Sequence, residues 1–90
     1  MLNPKRTSQF KKDYKKCKKS GRYDVKELEI IMRKLIYEEP LGVSNRDHQL
    51  KGNLSNFREC HIEPDWLLIY KINGEDIIFT RTGSHTELFD

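Results

Sequence analysis

Two helical runs followed by three closely spaced apolar strands predict an α+β fold, with an N-terminal helical hairpin packed on a small, mainly antiparallel β-sheet. The change of apolar period after residue 46 and an Asn73-Gly74 turn between two branched, aromatic-rich runs carry that prediction. Asn3 to Thr7 is short, and Pro4 suits an edge strand better than a central one. Thr7 or Ser8 can cap a helix that runs to Ser20, where Gly21 stops it. Phe10, Tyr14 and Cys17 give that helix one narrow apolar stripe, and lysines fill its other faces. Asp24, with Glu27 three residues on, starts a second helix whose Val25, Leu28, Ile31, Met32, Leu35 and Ile36 form a broad buried face. Pro40 and Gly42 are expected to end it. The strands then read Phe57–Ile62, Trp66–Ile72 and Asp76–Arg81.

Ninety residues are enough for one domain, 1–90, with a modest core. No apolar stretch reaches membrane-span length, and the N-terminal cations are not followed by the apolar segment of a secretory signal. Cys17 and Cys60 are far apart and in no CxxC pattern. They read as two structural thiols of a reduced, cytoplasmic protein, with no metal bound by them. The net charge of +3 hides a strong asymmetry. Residues 1–23 hold nine Lys and Arg against the single acid Asp13, and the remainder holds eight bases against thirteen acids. That segregation creates a positive potential suited to a polyanion, although a lysine-rich solvated helix face has the same composition. Lys11, Lys12 and Lys15 on the first helix, and Lys51 later in the chain, are the candidate cations for contact with a nucleic-acid substrate.

The chemistry is concentrated at the other end. His61, Asp65, Trp66, Arg81 and His85 fall within twenty-five residues. Two imidazoles, a carboxylate and a guanidinium are the groups that phosphodiester cleavage needs: a base, an acid and a cation for the phosphate. With Asn73-Gly74 as a two-residue loop, Ile72 faces Glu75 and Trp66 faces Arg81; a loop at Glu63-Pro64 pairs His61 with Trp66. His61, Trp66 and Arg81 are then expected in one row on one sheet face, with Asp65 in the adjoining turn and His85 folded back over them. Duller readings exist for each. Asp65 after Pro64 is a natural turn former, Trp66 suits a core as well as a stacked base, and Arg81 could simply pair with Glu59 or Glu63. His48 either joins the site or lies on the surface, and Phe89 either anchors the C-terminus or touches substrate. Ser84 shows no triad geometry.

Three segments carry a family resemblance: His48-x-Leu50-x-Gly52, the run Phe57–Tyr70 centred on His61-Ile62-Glu63-Pro64-Asp65-Trp66, and Arg81-Thr82-Gly83-Ser84-His85-Thr86-Glu87-Leu88-Phe89. With the helix–helix–sheet order, they resemble the YafQ-type toxins of the RelE/ParE superfamily of bacterial toxin–antitoxin systems. The resemblance implies a ribosome-dependent mRNA endoribonuclease on a microbial-ribonuclease-like fold, inhibiting translation and held inactive by a cognate antitoxin. It implies that His48, His61, Asp65 and His85 line the catalytic site, that Arg81 sits on the scissile phosphate, and that Trp66 and Phe89 complete the pocket. The expected chemistry is attack of the ribose 2′-hydroxyl on the adjacent phosphate without metal or other cofactor. His85 is the general acid, and Asp65, His61 or His48 is the base. The expected partners are the antitoxin, mRNA on the ribosome and, for the toxin–antitoxin complex, operator DNA; a membrane is not among them. A binding module that does not cut, and a gyrase-directed toxin of the same superfamily, are the competing functions.

Overall fold

The protein is described from a computed structural model covering residues 1–89. Five strands form one sheet in the order β1-β5-β4-β3-β2. These are β1 (Asn3–Arg6), β2 (His48–Gln49), β3 (Arg58–Glu63), β4 (Trp66–Asn73) and β5 (Asp76–Gly83). β1 runs parallel to β5, and every other pair is antiparallel. The helices α1 (Ser8–Ser20) and α2 (Val25–Ile36) precede β2, and a short α3 (His85–Phe89) follows β5. The α+β architecture and the edge position of the Pro4 segment are those the sequence predicts.

Both long helices begin at predicted caps. The Thr7 hydroxyl oxygen accepts the Phe10 N–H at 3.0 Å, and the Asp24 carboxylate accepts the Lys26 N–H at 3.0 Å. α1 ends at Gly21 in the left-handed conformation, which glycine adopts without a Cβ penalty. α2 stops earlier than Pro40, with Tyr37 as its last half-helical residue and Glu38 already at a φ of 58°. Phe10, Leu28, Met32 and Leu35 close over Cys60, Trp66, Leu68, Tyr70, Ile77 and Phe79 on one sheet face to form the core. Burial pushes the Cys60 thiol up to about 12 and the Cys17 thiol up to about 11, so neither is a nucleophile at neutral pH.

The strand register differs from the expected one by a residue or more, for a local reason. Asn73 pairs with Asp76, so the hairpin loop is Gly74-Glu75 with Gly74 at a φ of 63°. A single positive φ at the first loop position is the type II′ solution, which puts glycine first. A further slip between Ile69 and Tyr70 brings Arg81 opposite Ile69. At the other turn Glu63 pairs with Trp66 around Pro64-Asp65, and a bulge then sets His61 opposite Leu67. The predicted row of His61, Trp66 and Arg81 therefore does not form. The rows are His61–Leu67–Gly83 and Glu59–Ile69–Arg81, on the sheet face opposite the core residues Cys60, Leu68, Tyr70 and Phe79.

β1 covers β5 only as far as Phe79, leaving the outer edge of β5 open beyond it. α1 closes that edge with side chains. The Thr7 hydroxyl donates to the Thr80 carbonyl at 2.9 Å, and the buried Asp13 carboxylate accepts the Thr82 N–H at 3.2 Å. Replacing Asp13 with Ala leaves that N–H unpaired in a buried place. We expect a loss of roughly 1–3 kcal/mol in urea-denaturation stability, whereas an exposed lysine on the same helix, Lys15→Ala, should change stability little.

Candidate active site

The bulged β3–β4 turn and the start of α3 converge at one end of the sheet. α3 is built by a reciprocal cap: Ser84 N–H donates to Glu87 Oε1 at 2.9 Å, and Glu87 N–H to Ser84 Oγ at 3.2 Å. Gly83 lets the helix sit directly on β5, since a Cβ there would lie 3.2 Å from Glu87 Oε1. Lys16 on α1 holds the same glutamate at 3.0 Å. The backbone N–H of Ser84 and then Lys16 hold the Glu87 carboxyl below its ordinary range.

This arrangement fixes His85 against the turn. Asp65 Oδ1 accepts both the backbone N–H and the ring Nδ1–H of His85, each at 3.1 Å. A carboxylate can only accept, so Nδ1 carries the proton and Nε2 is the nitrogen left for a substrate. Those two bonds from His85, with a smaller contribution from Arg22, hold the Asp65 carboxyl below the usual aspartate value of 3.8. Because the folded value is lowered, the contribution of Asp65 to docking α3 is complete above that ordinary value and is lost as pH falls through the folded one. Hydrogen exchange at the His85 amide should therefore accelerate selectively below about pH 3.8, and Asp65→Asn should remove this pH dependence.

His61 lies beside His85, with ring centres 5.9 Å apart. Its Nδ1–H donates to the Pro64 carbonyl at 3.1 Å, so the turn that carries Asp65 also orients this ring. His61 is buried and His85 is more than half exposed, making His85 the solvent-facing member. Phe89 extends the row, 6.2 Å from His85 and itself exposed. β2 adds His48, placed opposite Glu59 by strand pairing. The Nδ1–H of His48 donates to the Arg46 carbonyl at 2.6 Å. Its Nε2 and that of His61 flank one oxygen, Glu59 Oε2, at 3.4 and 3.6 Å. Five titratable groups, His48, Glu59, His61, His85 and Asp65, thus form a continuous chain of contacts.

Two expected members stand apart from this chain. Trp66 is fully buried, stacked on Tyr23 with ring centres 4.6 Å apart, and its indole N–H donates to Thr82 Oγ1 at 3.0 Å. The expectation that it holds a base is corrected: the bulge turns it to the helix side of the sheet, where no base can reach its face. Arg81 pairs neither with Glu59 nor with Glu63. Its Nε and Nη2 donate to Asp13 Oδ2 and Oδ1 at 2.8 and 3.3 Å. It lines a cleft of about 430 Å³ between α1 and α3 with Lys12, Lys16, Arg22, Tyr23 and Glu87. Lys11, Lys12 and Lys15 lie exposed on α1, and Lys51 is exposed after β2.

Sequence reasoning missed Glu59, Asp13 and the Ser84/Glu87 cap. Signals for all three were present. Glu59 is two residues from His61 and so shares its strand face; Asp13 lies between Phe10 and Cys17 on the buried stripe of α1; and Ser84-x-x-Glu87 spells a capping box. No His, Cys, Asp or Glu group with metal-site geometry occurs among the described residues, and no helix among them is long and apolar enough to cross a membrane.

The comparison with known proteins agrees with this fold. The family model for YafQ, a bacterial toxin of type II toxin–antitoxin systems, matches residues 2–90. The mRNA interferase toxin YafQ of Escherichia coli strain K12 is 39% identical over 84 residues, spanning 92% of this chain and 90% of that one. The crystal structure of the E. coli DinJ–YafQ complex contains a chain that superposes with a TM-score of 0.91 at 36% identity, covering all of both chains. A metal-bound toxin from Helicobacter pylori superposes with the same TM-score at 43% identity, over 99% of this chain and 100% of that one. A match over almost the whole chain, in sequence and in fold, shows that this chain belongs to the YafQ family, the toxin half of type II toxin–antitoxin systems.

Proposed function

We propose that this toxin is an endoribonuclease that cuts mRNA on the ribosome and so inhibits translation. The observation that carries the reading is the pair of oriented imidazoles: His85, fixed by Asp65, lies beside His61, fixed by the Pro64 carbonyl. The name carried by the E. coli relative, mRNA interferase, supports the same activity.

In the proposed reaction the ribose 2′-oxygen attacks the adjacent phosphorus and the bond to the 5′-oxygen breaks. The products are a 2′,3′-cyclic phosphate, or the 3′-phosphate formed from it, and a free 5′-hydroxyl. In its imidazolium form, with a proton on Nε2 as well as on the Asp65-bound Nδ1, His85 gives the Nε2 proton to the departing 5′-oxygen and is left as the neutral ring. Asp65, with one oxygen already taken by two N–H donors, orients that ring. The proton from the 2′-hydroxyl passes to His61 or His48. Arg81 steadies the growing phosphate charge, exchanging one of its two Asp13 contacts for a phosphate oxygen. Exposed Phe89 provides an apolar surface next to the acid. Lys51 and the α1 lysines Lys11, Lys12 and Lys15 hold the RNA backbone, with salt-sensitive affinity. A site with few acid–base groups gains most from a substrate positioned for it, which is the part assigned to the ribosome.

The partners follow from the same reading. The DinJ–YafQ complex pairs the E. coli toxin with a second protein, and an acidic helix or extended segment of the corresponding antitoxin suits the lysine-rich α1 here. The toxin–antitoxin complex binds operator DNA, and the free toxin acts in the cytoplasm. Single-turnover cleavage of a translated mRNA tests the activity: the wild-type chain should produce discrete cuts, and a chain that arrests growth while leaving mRNA whole would overturn the assignment.

A further inference from the structure

β2 is only two residues long, His48 and Gln49, and lies at the outer edge of the sheet beside β3. Both residues are exposed, so no buried side chain of β2 itself sets which face each one takes. The residue before the strand is tied down instead. The Tyr70 hydroxyl donates to Asp47 Oδ1 at 2.6 Å, and Arg58 Nε–H donates to both oxygens, at 3.3 Å each. Tyr70 is a firm post: it is 1% exposed in the core, on β4, two strands away from β2. Burial, and then the Asp47 carboxylate, push the hydroxyl well above the ordinary tyrosine value of 10.0, so it stays a donor at neutral pH. Asp47 therefore reaches across β3 on the core side. Side chains alternate along a strand, so His48, the next residue, is turned to the other face, where Glu59 and His61 lie.

From this geometry we propose that the Asp47–Tyr70 hydrogen bond anchors β2, and that Asp47 is a positioning residue for His48. The effect on rate rests on the ribonuclease reading; the placement of the ring rests on the geometry alone. The ring's own hydrogen bond cannot do this work, because His48 Nδ1–H binds the Arg46 carbonyl on the same loop. A swing of the loop carries ring and carbonyl together. Asn45 donates to the His61 carbonyl at 2.7 Å, which keeps the loop near β3 but does not choose the face that His48 takes. Asp47 touches neither RNA nor a reacting group. Its action passes through the backbone to His48, and Arg58 balances its charge.

Tyr70→Phe keeps the ring in the core and removes only the hydroxyl. Single-turnover cleavage should fall about 10–10²-fold, the scale of a misplaced catalytic group, with KM within about twofold. Asp47→Ala should match it, and Asp47→Asn, which still offers the hydroxyl an acceptor, should recover most of the lost rate. An anchor that acts only through His48 predicts that Tyr70→Phe adds no further loss to a His48→Ala chain. In the full-length chain with ¹⁵N-labelled histidine, Tyr70→Phe should shift the His48 ring signals and leave those of His85 in place. Circular dichroism and a urea titration report folding of each variant. Folded Tyr70→Phe and Asp47→Ala chains with wild-type cleavage and unmoved His48 signals would overturn the anchor. An equal loss of rate in the His48→Ala background would make the effect of Tyr70 a general loosening and also overturn it. A wild-type chain that cuts no RNA would refute the ribonuclease reading instead, while the His48 signals would still decide the anchoring.

Discussion

His85→Ala should lower the single-turnover rate of mRNA cleavage by about 10²–10⁴-fold, the range expected when a positioned general acid is removed. The ring is more than half exposed and makes one side-chain hydrogen bond, to Asp65. The backbone N–H that also binds Asp65 survives the substitution. Fold and stability should therefore change little, and KM should stay close to wild type because the proton transfer is made in the transition state. Asp65→Asn should show a smaller loss with the same pattern, since it leaves the acid in place but weakens its aim. Measured rates and denaturation curves for both variants check this. A His85→Ala chain that cuts at the wild-type rate would remove the acid role, whereas a loss that tracks unfolding would make His85 structural.

Trp66→Ala should cost about 3–5 kcal/mol, as truncation of a large buried aromatic does. The ring has no exposed area, stacks on Tyr23 and donates its N–H to Thr82. Its neighbours come from the α1–α2 connection, β4 and β5, so the cavity would sit where helices meet sheet. In a domain whose total stability is of the order of 5–15 kcal/mol, this substitution removes much of the margin, and toxicity would vanish through loss of folded protein. Trp66→Phe separates that route from substrate contact. A core role predicts lower urea stability with unchanged cleavage per folded molecule. A base-stacking role predicts the reverse, a raised KM at full stability.

Trp66 also shows where sequence reading stops. The aromatic and branched runs, the helix caps at Thr7 and Asp24, and the edge strand at Pro4 depend on local periodicity and turn chemistry, and the structure has them as read. The face on which a strand residue lies depends on register, which one residue in a loop reverses. Asn73-Gly74 resembled a type I′ turn, but the loop closed one residue later, and bulges in both hairpins compounded the slip. Trp66 thereby went to the core. His61 and His85 still met, because the Pro64-Asp65 turn and the Ser84/Glu87 cap fix them locally. Arg81 was placed by a contact with Asp13 across 68 positions of sequence, which no local pattern encodes. Glu59 was overlooked because a glutamate on a strand reads as solvent-facing until β2 and the two histidines are seen to enclose it.

The same register places the two carboxylates in different settings. Asp65 is exposed and spends one oxygen on His85, whereas Glu59 is buried and shares one oxygen between two rings.

Analysis of the ends left on mRNA tests this account most directly. Wild-type toxin added to translating ribosomes should leave 2′,3′-cyclic phosphate or 3′-phosphate ends opposite free 5′-hydroxyls, and a single 2′-deoxyribose at the cut position should abolish cleavage there. Ends bearing a 3′-hydroxyl and a 5′-phosphate, or cleavage that persists at the 2′-deoxy position, would contradict it.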